Sequence, residues 1–187
     1  MSDFSDKTLP KDSERLDAER FRTALGIFPT GVTIVTTRDG DGEAIGLTVS
    51  SFNSVSMDPP LILWSIMRAS PNLALFEAAE HFAVNVLADD QAEISNRFAS
   101  PVADRFAGLD VTNGVGGVPL IGGSAAQFEC ATWSQVDGGD HLIVVGRVLR
   151  FHASDRNPLI FAKGRYETLG PERDLAVSDD VWTVKKG

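Results

Sequence analysis

The spacing of apolar side chains changes period at Pro29. Before it, Phe21, Leu25 and Phe28 recur at i, i+4 and i+7, which predicts an amphipathic helix ending near the proline. After it the apolar runs are short and rich in β-branched residues. VTIVTT (32–37) and EAIGLTV (43–49) flank the turn-forming RDGDG and predict a β-hairpin. LILWSI (61–66) and FAVNVL (82–87) predict two further strands, with helical spacing at 72–80 and again at 90–98, where Ile94 and Phe98 share a face. Strand character returns at 128–135, 141–151 and 159–163, and Gly138 and Gly139 supply a tight turn between the first two of these. Strands joined mostly by hairpin-length connections, with helices inserted rather than alternating, predict a mainly β protein: an antiparallel barrel with helical additions. Residues 1–13 read as a disordered tail, 14–170 as one domain and 171–187 as a C-terminal tail.

One stretch breaks the ordinary alternation. GLTVSSFNSVSMDPP (46–60) carries hydroxyls at Thr48, Ser50, Ser51, Ser54 and Ser56 and leads directly into LILWSI. As an extended segment it would point Leu47, Val49 and Val55 one way, and Thr48, Ser50, Phe52, Ser54 and Ser56 the other. Pro59 and Pro60 keep it from pairing as an ordinary central strand. Small hydroxyls and free backbone amides suit a flat heterocycle with a hydrogen-bonding edge, such as an isoalloxazine; a hydroxyl-rich strand edge without a ligand has the same pattern. Downstream, RASPNLALF (68–76) sets Arg68, Ser70 and Asn72 before a predicted helix start, a setting that suits a phosphate and equally suits a plain helix cap.

Charge narrows the partners. Across 187 residues the net charge is -9, which argues against nucleic acid or an anionic membrane as the main partner, so any anion site must be local. The single cysteine, Cys130, cannot form an internal disulfide, and its setting in AAQFECATW suits strand packing. With no apolar leader at the N-terminus and no run near the ~20 residues of a membrane span, the expected location is cytoplasmic. NGVGGVPL (113–120) places Pro119 where a dinucleotide fingerprint needs its third glycine, and His81, His141 and His152 lack metal-ligand spacing. No carboxylate pair suggests acid–base chemistry. Hydride transfer between two organic cofactors asks little of protein acids and bases, and it fits this inventory.

The segments FRTALGIFPTGVTIVTT, GLTVSSFNSVSMDPPLILWSI, FAVNVLADDQAEISNRFA, GGDHLIVVGRV and NPLIFAKGRY, in this order over roughly residues 18–168, resemble the flavin reductase family with the FMN-binding split-barrel fold. More narrowly they resemble the reductase components of two-component flavin-dependent monooxygenases. The resemblance implies a Greek-key split barrel that forms a homodimer, binds FMN or FAD, takes hydride from NADH or NADPH and passes reduced flavin to a partner oxygenase. By position it implies that Thr30, Gly31, Thr48, Val49, Ser50, Ser51 and Ser65 meet the flavin. Arg68, Ser70 and Asn72 would hold its phosphate, and Ser95, Arg97 and Phe98 would approach from a helix. His141 would face the nicotinamide. Lys163, Arg165 and Tyr166 have two readings, closure over a cofactor or cover for the barrel mouth. Rival functions on the same barrel are a flavin-storage or sensing protein and an oxidase of pyridoxamine-phosphate type, the latter calling for a denser basic cluster than this chain has near the hydroxyl stretch.

Overall fold

The computed structural model describes residues 17–171, so the two expected tails lie, except for Pro171, outside the described residues. Helix α1 (Ala18–Leu25) begins where the Asp17 carboxylate accepts from the amides of Glu19 and Arg20 at 3.0 and 3.1 Å, satisfying donors that the first turn leaves free. Its apolar residues do not reach the core: Phe21 and Leu25 are exposed, as are Ile27 and Phe28 beyond it. There follow β1 (Thr30–Gly31), β2 (Thr33–Arg38), β3 (Ala44–Val49), β4 (Asn53–Met57) and β5 (Pro60–Met67). Next come α2 (Leu73–Ala78), β6 (His81–Val86), α3 (Ala92–Ala99), β7 (Val111–Asn113), a 3-10 turn at Val115–Gly117 and β8 (Pro119–Ile121). The chain continues through β9 (Ala126–Gly138), β10 (His141–Ala153), β11 (Ile160–Ala162) and β12 (Arg165–Glu167).

The main sheet has seven strands in the order β3-β2-β6-β9-β10-β5-β4, antiparallel at every pairing. Its two edges, β3 and β4, are consecutive in the chain and separated only by Ser50, Ser51 and Phe52. A flat sheet of this width would set them about 28 Å apart at ~4.8 Å per strand. The four residue steps from Val49 to Asn53 reach at most about 14 Å. The sheet must therefore curl into a barrel, and right-handed strand twist supplies the sense of curl. Where the edges meet, no β3–β5 or β3–β4 ladder forms. A single side chain stitches the gap instead: Ser51 Oγ accepts from Ser65 N at 2.9 Å and donates to Ser65 O at 3.2 Å. The fold is a split barrel, as expected from the sequence.

Inside the barrel Trp64 packs edge-on against Phe76 and Phe82, with centroids 5.0 and 5.8 Å away, among Val35, Ile66, Val84 and Val144. A second cluster lies outside the curl, where α3 and the small β1-β11-β12 sheet cover Ile34, Leu87, Phe98, Ile121 and Leu159. Strand β2 runs between the two clusters. Thr33 to Thr37 are all buried, which is why VTIVTT does not alternate. Its threonines remain satisfied through Val49 O, Pro119 O and His81 O.

The predicted facing of residues 47–56 holds only as far as Val49. Ser50 to Phe52 leave the ladder to cross the split, so the alternation restarts: Phe52 turns inward onto Phe128 at 5.4 Å, and Val55 is 48% exposed on the β4 edge. Strand β4 itself, and the short strands β7, β8 and β12, were not anticipated from the sequence.

Candidate functional site

The split leaves strand β3 with an open edge. In an antiparallel edge strand, alternate residues keep their N–H and C=O unpaired. Gly46 is one of them, because its carbonyl accepts from Arg105 Nη1 at 3.2 Å. Period two then makes Thr48 the next, and Ser50 follows it in the link that crosses the split. They face a cleft of about 510 Å³ walled by Leu47–Ser51, by Ser65–Met67 on β5, by Ala69–Pro71, and by His141 at the start of β10. A smaller, mostly apolar recess of about 210 Å³ shares Thr48, Val49 and Ser50 with the cleft and is closed by Val32, Ser95, Ala99, Phe161 and Tyr166.

Hydrogen bonds fix the common wall. Thr48 Oγ1 donates to Ser95 O at 2.7 Å, pinning α3 to the β3 edge. Tyr166 Oη lies 2.9 Å from both Ser95 Oγ and Asn96 Oδ1, so β12 is tied to the same point, and its ring packs edge-on against Phe161 at 5.7 Å. Gly46 permits the close approach. A Cβ there would fall 2.6 Å from Phe98 Cε1.

Of the residues singled out from the sequence, Thr48, Val49, Ser50, Ser51, Ser65, Ser70 and His141 line the cleft, and Ser95 and Tyr166 line the recess. Thr30 and Gly31 sit on β1 opposite Phe161 and Ile160; Thr30 Oγ1 is buried and has no partner among the described residues. Phe98 is buried in the second core cluster against Phe106, 4.9 Å between centroids. Arg97 donates to Ala107 O at 2.8 Å, and Arg165 pairs with Glu167. Asn72 stands at the start of α2, makes no side-chain cap and lines a separate cavity that also holds Arg105. Arg68 is engaged elsewhere: it binds Asp137 Oδ1 at 2.9 Å and Gly139 O at 3.1 Å, and this guanidinium holds the Asp137 carboxyl below the usual carboxylate range.

Sequence reasoning missed Leu47, Ile66, Met67, Ala69 and Pro71 as cleft residues, and Arg105, Asn96, Asp137 and Asp140 as supports. The only legible signal was GGDH, where Asp140 precedes His141; its carboxylate lies 2.7 Å from His141 Nδ1. Cys130 is buried, and desolvation pushes its thiol up to about 12, so it stays protonated and inert at neutral pH.

The open strand edge at Thr48, the serines Ser50, Ser51, Ser65 and Ser70, and an apolar lining of Leu47, Ile66 and Met67 fit a flat heterocyclic cofactor. Among the described residues no group of three or more His, Cys, Asp or Glu side chains could hold a metal ion, and no helix is long and apolar enough to cross a membrane.

The family model described as the Flavin reductase like domain matches residues 25–170. The chain belongs to the flavin reductase like family. Within it, the chain is 46% identical over 150 residues to the FMN reductase (NADH) SmoA of Agrobacterium fabrum, covering 80% of this chain and 85% of that protein. It is 41% identical over 164 residues to the flavin-dependent monooxygenase reductase subunit HsaB of Rhodococcus jostii, covering 87% and 84%. The NADH:FAD oxidoreductase SgcE6 of Streptomyces globisporus, solved with NAD and FAD fragments, superposes with a TM-score of 0.80 at 36% identity, over 84% of this chain and 96% of that one. Three further relatives, two from Rhizobium meliloti and one from Acinetobacter baylyi, are longer: the chain spans 50%, 65% and 47% of their lengths.

Proposed function

We propose that this protein is an NAD(P)H:flavin oxidoreductase that reduces FMN or FAD and passes reduced flavin to an oxygenase component. The observation that carries the reading is the cleft itself, where the open β3 edge, Ser50 and Ser51 of the β3–β4 link and Ser65 of β5 share one wall system with His141. The names of SmoA, HsaB and SgcE6 support the reaction class and the oxygenase partner.

A bound flavin would supply the ring that accepts hydride, and a nicotinamide nucleotide the hydride. The chain's own contribution is to bind and orient. The outward N–H of Thr48 and the backbone of the link at Ser50 would meet hydrogen-bond acceptors along one ring edge, where fixed dipoles are most favourable toward developing negative charge. Ser51 and Ser65 hold the floor of the split in place, and Ser70 offers its hydroxyl to the phosphate end. His141, with Nδ1 engaged by Asp140, presents Nε2 as a hydrogen-bonding group for the nicotinamide nucleotide. Among the described residues no Lys or Arg lines the cleft, which favours this reading over an oxidase acting on a phosphorylated amine.

Purified protein stripped of flavin should oxidise NADH or NADPH only when FMN, FAD or riboflavin is added, followed by absorbance at the nicotinamide band. Rapid oxidation with no flavin present, or bleaching of bound flavin by neither nucleotide, would reject the reductase assignment. We also propose a homodimer. The unpacked apolar residues Phe21, Leu25, Ile27 and Phe28, and Val55 and Met57 on the β4 edge, are the surfaces that a second copy would cover. Light scattering at micromolar concentration should give twice the chain mass; a fully active monomer would contradict it.

A further inference from the structure

We infer that Arg68 is a positioning residue: it clamps the β9–β10 turn so that His141 stands at the cleft, rather than serving as the cation for a flavin phosphate. Strands β9 and β10 end at Gly138 and His141, which pair across a two-residue connection, Gly139-Asp140, with Gly139 at φ +79. Adjacent glycines give this turn more freedom than any other pair of residues would, so its conformation depends on what holds it from outside. Arg68, the first residue after β5, holds it from three directions. Its amide donates to Asp140 O at 2.9 Å, its Nε to Gly139 O at 3.1 Å, and its Nη2 to Asp137 Oδ1 at 2.9 Å. Asp137 Oδ1 also accepts from Gly139 N at 3.1 Å.

The chain of contacts ends at the candidate site. The Arg68 side chain holds Gly139 O, next to Asp140, and Asp137; the Asp140 carboxylate fixes His141 Nδ1 at 2.7 Å, and His141 pairs in register with Met67 on the cleft wall. That leaves Nε2 as the ring nitrogen with no protein partner among the described residues. A phosphate at Arg68 would have to compete with the Asp137 carboxylate already bound there, and Arg68 is not among the residues lining the cleft.

This inference rests on the reading of His141 as the group that meets the nicotinamide nucleotide. Four variants test it: Arg68→Ala, Asp137→Asn, His141→Ala and the double variant Arg68→Ala/His141→Ala. They are compared by apparent KM and kcat for NADH or NADPH, by fluorescence titration with FMN and riboflavin, and by amide hydrogen exchange at residues 137–141. Arg68→Ala and Asp137→Asn should each raise the apparent KM by about threefold to tenfold, the scale of a lost exposed ion pair with its charged hydrogen bond, while kcat and the FMN-to-riboflavin affinity ratio hold. Exchange at Gly138–His141 should accelerate, and the KM effect of Arg68→Ala should vanish when His141 is already alanine, because the two act through one contact. Unchanged exchange in Arg68→Ala, or a selective loss of FMN over riboflavin affinity, would overturn the clamp. Faster exchange together with a normal KM in His141→Ala would keep the clamp and reject the nicotinamide role of His141.

Discussion

The β9–β10 hairpin carries an arginine–carboxylate pair near each end, and the two are built differently. At the base, Glu129 and Arg150 are cross-strand partners; Arg150 Nε and Nη2 each reach a separate carboxylate oxygen at 2.6 Å, and Val115 N donates to Oε2 at 2.6 Å. The Glu129 side chain is 6% exposed while Arg150 is 59% exposed, and the neighbouring backbone is so close that a Cβ on Gly114 would fall 2.6 Å from Oε2. At the tip, Arg68 meets Asp137 through one oxygen, with side chains 42% and 78% exposed. A buried charge that loses its partner is stranded in a poor solvent, so the base pair fixes the hairpin to the 3-10 turn and cannot open cheaply. An exposed pair is screened and weak, so the tip is held only firmly enough to orient a turn. Similar chemistry gives architecture where the carboxylate is shut off from water and adjustable positioning where both partners are wet.

Breaking the base should give the largest effect on stability. Arg150→Ala leaves the Glu129 carboxylate buried with Val115 N as its remaining donor, and a thermal melt should drop by about 5–10 °C. The pH dependence follows from the hydrogen bonds of Arg150, which hold the Glu129 carboxyl below its ordinary value of 4.5. A carboxylate depressed in the folded state stabilises fully above its unfolded pKa and loses that contribution as pH falls through the lower, folded value. Acid melts of the native protein should steepen below pH about 4.5, and Glu129→Gln should flatten that steepening; an unchanged profile would assign the acid sensitivity to another group. The smallest stability effect belongs to the tip: Asp137→Asn should move the melting temperature by no more than about 1 °C. A large shift there would erase the contrast between the two pairs.

The site was legible in the sequence to the extent that its residues are contiguous. The Thr48–Ser51 run, with hydroxyls and a strand phase ending before a proline pair, pointed to the cleft edge, and GGDH pointed to His141; both line the cleft. What could not be read was the destination of a side chain that leaves its own segment. Arg68 precedes Ser70 and Asn72 as a phosphate-binding cation would, yet its partner Asp137 lies 69 positions along the chain. Arg105 looks like a loop charge, and only the packing of its loop across the β3 edge brings it to Gly46 O. The family resemblance places Phe98 with Ser95 at the site, whereas its ring turns into the core beneath Gly46.

By itself the sequence determined the local elements: the period change at Pro29, the hairpin around RDGDG and the glycine turn before His141. These rest on backbone preferences and side-chain spacing, which act over a few residues. Only the tertiary structure decided that β3 and β4 should be opposite edges of one sheet, that Ser51 should stitch them across a gap, and that α1 should leave its apolar face outside. Those outcomes depend on closing a seven-stranded sheet through a three-residue link, a constraint between distant strands that no local window of the chain contains.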